Sequence, residues 1–223
     1  MICILHGYLL EGSGSNLWTR SIIQSLCKQG ETVHLLCQEN HPELYGFISE
    51  VYYYDSSGTK IQKLLRESPY DGQCIMHKPW IGDTLPVYVW DKYEEFVNVL
   101  PMAELDTESI EKYLDHNETI VKKVVQENNI TVIHANHAVL MSVIAMRISE
   151  HMSIPFAIMP HGSAIEYAVK KDQRIYKYAF EAFEKASRIF VIGKEIRQRI
   201  NTLFSKIPNL NDKMLDLNLG ADT

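Results

Sequence analysis

The chain has 223 residues, 22% of them charged, and a formal net charge of −6. That is long enough for one large α/β domain and offers no basic field to hold a nucleic-acid backbone, so nucleic acid is not an expected partner. No apolar stretch reaches the roughly 18 residues that a membrane helix needs, no basic-then-apolar leader opens the sequence, and Cys3, Cys27, Cys37 and Cys74 form no C-x-x-C pair. A cytoplasmic protein with free, mostly buried thiols is expected.

Short apolar runs alternate with segments of helical period, the pattern of β-α units feeding a mostly parallel sheet, and the expected fold class is a Rossmann-like three-layer α/β domain. The run Ile2-Cys3-Ile4-Leu5 leads into a Gly12/Gly14 loop, a helix over 15–29 with Gly30 as its C-cap, and a second strand over 32–37. Turn formers and aromatics then crowd residues 41–101, which read as an irregular insertion with an extended piece at Pro86-Val87-Tyr88-Val89-Trp90. Regularity resumes with a helix over 108–128, the strand Thr131 to His134, a nearly all-apolar helix over 139–148 and the strand Pro155 to Met159. A helix over 172–185, the strand Arg188 to Ile192 and a helix over 194–203 complete the series. The basic residues Lys170, Lys171, Arg174, Lys177, Lys194, Arg197 and Arg199 alternate with acidic and apolar ones, as on solvated helix faces; peripheral contact with a membrane is the second reading. Residues 217–223 read as the start of a linker, so the chain is expected to be a domain over 1–216 from a longer protein.

Ligands of parallel α/β sheets sit beyond the carboxyl ends of the strands, and three strand-to-helix loops there carry polar groups. Gly12-Ser13-Gly14-Ser15-Asn16 brings backbone N–H groups and a helix N-terminus to one place, which suits a diphosphate or a sugar hydroxyl; as a plain turn it would use Ser15 as N-cap. Leu17 stands where a dinucleotide fingerprint needs its third glycine, although Glu39 after the second strand imitates the ribose-binding acid, so an NAD-binding domain is an alternative. His134-Ala135-Asn136-His137 places two histidines three apart without a third metal ligand at fitting spacing, and polar loop residues satisfied by backbone are the simpler account. In Pro160-His161-Gly162-Ser163 the glycine allows close backbone approach beside an imidazole, while Ser163 and Glu166 have the spacing of a capping box. There is no G-x-S-x-G elbow, P-loop, H-E-x-x-H, EF-hand loop or D-x-D site.

Taken in order, these segments resemble the retaining glycosyltransferases of the GT-B fold known as family 4. His6-Gly7 through Asn16 is similar to that family's first loop, Val132 to His137 to its I-H-A-H-like segment, Met159 to Ser163 to the loop of its site histidine, and Val191-Ile192-Gly193-Lys194 with Arg197 to the helix entry that follows. Leu217 to Thr223 is similar to its N-x-G-V-D-T phrase at the passage into a second domain. The resemblance implies transfer of a sugar from a nucleoside-diphosphate donor to the hydroxyl of a sugar or lipid-linked acceptor, with retention and without a metal or other cofactor. It makes this chain the acceptor-side half, dependent on its own carboxyl-terminal domain for most of the nucleotide grip. His161 is the implied catalytic residue. Gly12, Ser13, Gly14, Ser15, Asn16, His134, Asn136, His137, Gly162 and Ser163 are the implied donor- and acceptor-binding set. A non-catalytic nucleotide- or carbohydrate-binding module is the alternative from another class.

Overall fold

A computed structural model describes residues 1–89 and 93–217. Its strands are β1 (Ile2–Leu5), β2 (Thr32–Leu36), β3 (Ile48–Tyr54), β4 (Lys60–Leu64), β5 (Gln73–Lys78), β6 (Thr84–Val87), β7 (Asn98–Pro101), β8 (Val132–Asn136), β9 (Phe156–Met159), β10 (Arg188–Ile192) and β11 (Met214–Leu217). The helices are α1 (Gly14–Lys28), α2 (Thr107–Glu127), α3 (Met141–Met152), α4 (Gly162–Ala164), α5 (Gln173–Lys185), α6 (Gly193–Leu203) and α7 (Leu210–Lys213). Nine strands form one sheet in the order β11-β10-β9-β8-β1-β2-β5-β3-β4, and β6 pairs with β7 apart from it. Every pairing in the large sheet is parallel except that of β3 with β4.

The central strands of the sheet are buried on both faces, which is why they read as continuous apolar runs instead of alternating ones. Side-chain alternation still divides the core. Ile4, Val33, Leu35, Cys74 and Met76 pack with Ile23 and Cys27 of α1, whereas Cys3, Leu5, Ile133 and Ala135 belong to the cluster that holds Leu114, Val121, Ile144, Ala179 and Phe183 from α2, α3 and α5. All four cysteines are buried and free. α1 starts at Ser13, whose hydroxyl accepts from the Asn16 N–H, and ends with Gly30 N–H bonded to the Cys27 carbonyl. The eight buried residues of α2 fall at Ile110, Tyr113, Leu114, Asn117, Ile120, Val121, Val124 and Val125, one stripe at helical period.

Two expectations need correction. Residues 48–78, read as part of an insertion, supply three strands of the main sheet, with Ile48, Val51, Cys74 and Met76 in its core. The capping box at Ser163 and Glu166 does not form: His161 occupies the N-cap of α4, and a π-helical turn (Ile165–Val169) follows, closed by Lys170 N–H on the Ile165 carbonyl. Glu166 instead pairs with Lys170 and Arg199. Arg174 and Arg197 are likewise committed, to Asp172 and Asp216. At the carboxyl end, β11 lies parallel to β10, and the proposed linker beyond Leu217 falls outside the described residues.

From β1 the chain builds outward through β2 on one side, and later through β8 to β11 on the other. The connections therefore diverge between β1 and β8, and their loops part there to leave a crevice above the carboxyl ends of the strands.

Candidate active site at the switch point

Three loops bound the crevice. After β1, Gly7 turns the chain at φ +79°, and a Cβ there would stand 2.9 Å from the Met141 methyl and 3.3 Å from the Tyr113 hydroxyl, so a larger residue would force the Met141 side chain to shift. Glu39 holds the same loop from beyond β2. Its carboxylate accepts from the N–H groups of Leu10, Asn40 and His41 and from the Tyr45 hydroxyl, which uses its lone pairs on the protein and leaves none for a ribose.

After β8 the backbone is strained. His137 and Leu140 adopt φ +72° and +61° without being glycines, at a cost of about 1–3 kcal/mol each. The N–H of His137 is pinned to the Met159 carbonyl at 2.8 Å, and its buried ring packs against His6, Tyr8, Tyr88 and His161, with centroids 4.7 to 5.8 Å away. Neither ring nitrogen of His137 has a hydrogen-bond partner among the described residues. After β9, His161 turns its Nε2 to Asn136 Oδ1 at 3.2 Å.

A side-chain network joins the first loop to the third. His6 Nε2 lies 3.0 Å from both the Leu9 carbonyl and Asn16 Oδ1; His6 Nδ1 lies 3.2 Å from Thr19 Oγ1; and Asn136 donates to that oxygen at 3.0 Å. Burial pushes His6 and His134 down to about 4 and His161 to about 3, and drives His137 well below its ordinary value, helped there by the neighbouring His161 and His6. At neutral pH all four rings are uncharged.

The crevice has two compartments that share Ser13, Ser15 and Ser163. The inner one, about 140 Å³, is walled by Tyr8, Asn16, Val87, Tyr88, Val89, Tyr93 and His137. The outer one, about 660 Å³, is lined by Gly14, Leu17, Trp18, Ser21, His161, Gly162 and Ile192. Of the residues singled out from sequence, Ser13, Gly14, Ser15, Asn16, His137, His161, Gly162 and Ser163 meet here, and Asn136 lies directly beneath. Gly12 is exposed at the loop and lines neither compartment. His134 points elsewhere: its ring lies under Trp18 at 5.4 Å and beside Phe190, and it shares no ring contact with His137. Among the described residues no group of three histidine, cysteine or acidic side chains could hold a metal. His6, Thr19, Tyr8 and Tyr88 were not legible as site residues, although His6-Gly7 opens the first loop. Tyr8 and Tyr88 are fixed by donating to the Pro86 and Val139 carbonyls, each at 2.9 Å.

No protein-family model matches the sequence, and no curated protein does. Solved structures do match in shape. Sucrose-phosphate synthase from Thermosynechococcus elongatus superposes with a TM-score of 0.62 at 13% identity, over 99% of this chain and 48% of that one. The chain has the fold of a GT-B Rossmann-like half. UGT89C1 from Arabidopsis thaliana, complexed with UDP-L-rhamnose, matches this GT-B half at 0.52 and 12% identity, over 97% of this chain and 51% of that one. LpCGTa in complex with UDP matches at 0.53 and 11%, over 99% and 54%. The GT-B half spans about half the length of these proteins. A second, shorter structure of the synthase is covered to 90%.

Proposed function

We propose that this chain is the acceptor-side half of a cytoplasmic glycosyltransferase that moves a sugar from a nucleoside-diphosphate donor to an acceptor hydroxyl with retention of anomeric configuration. The observation that carries the reading is the two-compartment crevice at the β1/β8 switch point, where His137, a buried neutral histidine whose ring nitrogens have no partner among the described residues, lines a cavity large enough for part of a sugar. The acceptor occupies the inner compartment against His137 and the tyrosines. The donor sugar lies in the outer one beside His161, and the first-turn N–H groups of Gly14 and Ser15, which have no acceptor in their own helix, face its diphosphate. Two of the similar structures hold UDP or a UDP-sugar, which supports a nucleotide-sugar donor. A carboxyl-terminal domain beyond the linker that begins over residues 217–223 supplies the positive charge that a departing diphosphate requires.

The test is a transfer assay on the full protein with UDP-, GDP- and ADP-sugars. His161→Ala should lower turnover about a hundred-fold or more, as expected for a group that acts at the reacting centre, while costing only about 1–3 kcal/mol of unfolding free energy for the stranded Asn136 Oδ1. Wild-type turnover in that variant would refute the role of His161. A product of inverted anomeric configuration would refute retention.

A further inference from the structure

The polar side chains beneath the crevice form a hydrogen-bond chain whose direction is fixed from one end. The Leu9 carbonyl can only accept, and it lies 3.0 Å from His6 Nε2, so that nitrogen carries the proton. Burial keeps His6 neutral, which leaves Nδ1 bare and in need of the Thr19 hydroxyl proton across 3.2 Å. The Thr19 oxygen, its own proton given away, then accepts from Asn136 Nδ2 at 3.0 Å. This orientation turns Asn136 Oδ1 toward His161 Nε2 at 3.2 Å, and an amide oxygen only accepts, so Nε2 of His161 carries its proton. The Ser15 carbonyl, 2.8 Å from Thr19 Oγ1, competes for the hydroxyl proton. If it won, the His6 and Thr19 lone pairs would face each other in a buried site with no hydrogen between them.

We propose that His6 and Thr19 are positioning residues that set the tautomer of His161, so that its ring presents an unprotonated Nδ1 to the crevice and accepts a hydrogen bond from a ligand hydroxyl. A neutral ring in this state repels a phosphate or carboxylate oxygen, and the contact it makes is with a sugar or polyol hydroxyl. The functional weight of the inference rests on the reading of His161 as a site residue; the tautomer itself does not.

The experiment is nitrogen-15 NMR of the labelled 223-residue chain at neutral pH, without ligand. His161 and His6 should each appear as a single Nε2–H tautomer. Thr19→Val, which keeps the shape and deletes the hydroxyl, should turn His161 into a mixture of tautomers and lower sugar transfer by the full protein about ten-fold, the worth of one hydrogen bond; Thr19→Ser should restore both. An Nδ1–H form of His161 in the wild type, or an unchanged His161 tautomer in a folded Thr19→Val variant, would overturn the proposal. Should Thr19→Val fail to fold, the wild-type tautomer alone decides. If the tautomer is as expected but His161→Ala leaves transfer intact, the glycosyltransferase reading fails and the hydrogen-bond chain stands.

Discussion

The sheet buries two groups of histidines, and they are treated differently. Away from the crevice, His34 and His77 stack on β2 and β5, their Nδ1 and Nε2 3.0 Å apart, and the Tyr54 hydroxyl meets the other nitrogen of His77 at 2.8 Å, with Tyr52 lying flat on the ring. At the switch point, His137 is equally buried, its backbone is strained and both of its nitrogens lack partners among the described residues. Closed hydrogen bonding marks the first group as a structural joint between strands. Within the second, His6 and His161 are bonded to neighbours, and the open valences of His137, beside a cavity, mark that ring as the place kept for something else to bind.

What the two groups share is neutrality, and acid should exploit it. His77 is held at about 3, like His161, and His34 at about 4, like His6, all by burial. The unfolded chain takes up protons near the ordinary value of 6.5, which the folded chain refuses until pH 4 or lower. Stability is therefore complete above about pH 6.5 and falls as pH drops toward 4, by on the order of 3 kcal/mol per ring before coupling between rings is counted. Urea midpoints measured across this window would show it. A flat profile would mean that the rings are hydrated, and the contrast would lose its basis.

Substitution by phenylalanine separates the groups by sign. His77→Phe strands His34 Nδ1 and the Tyr54 hydroxyl in the interior and should cost about 2–4 kcal/mol of unfolding free energy. His137→Phe keeps the ring packing and removes two unsatisfied atoms; the fold should be as stable or more stable by about 1–2 kcal/mol, while transfer by the full protein falls roughly ten- to hundred-fold. The reverse ranking of stabilities would break the comparison.

Two glycines sharpen it at smaller amplitude. Both turn at positive φ, where alanine costs about 1 kcal/mol. At Gly58, in the β3–β4 turn, a methyl group crowds the flexible end of Lys123 and meets Ile120 at ordinary contact distance, whereas at Gly7 it crowds buried Met141 and Tyr113. Gly7→Ala should cost about 2–3 kcal/mol and Gly58→Ala about 1, with the difference coming from the buried neighbours that must shift to admit the methyl group.

The parallel core was legible because central strands such as Ile2 to Leu5 and Phe156 to Met159 are buried on both faces and stand out as apolar runs between helical segments. β3 to β5 were not, since β4 is exposed along its whole length and β3 and β5 place tyrosines, a histidine and a lysine where an apolar pattern would be sought. The three crevice loops could be located from the rule that strand ends carry ligands. Thr19 could not: it is one polar residue on a helix, and its importance lies in two partners, His6 in the loop after β1 and Asn136 at the end of β8, far away in the chain. The capping box misled because the spacing of Ser163 and Glu166 says nothing of Arg199, which draws the glutamate away.

The divergence of connections at β1 has a kinetic consequence. β1 meets β8 by pairing Ile2 with Val132, a contact that closes a loop of more than half the chain, and such long-range parallel pairings form slowly. Half of the crevice belongs to each side of that pairing. A chain caught before it forms would already own the Ser13 cap and the β2–β5 histidine joint, yet it would have no cavity at all. Ligand binding in a refolding experiment should therefore appear with the last phase, and report completion of the fold more sharply than helix content does.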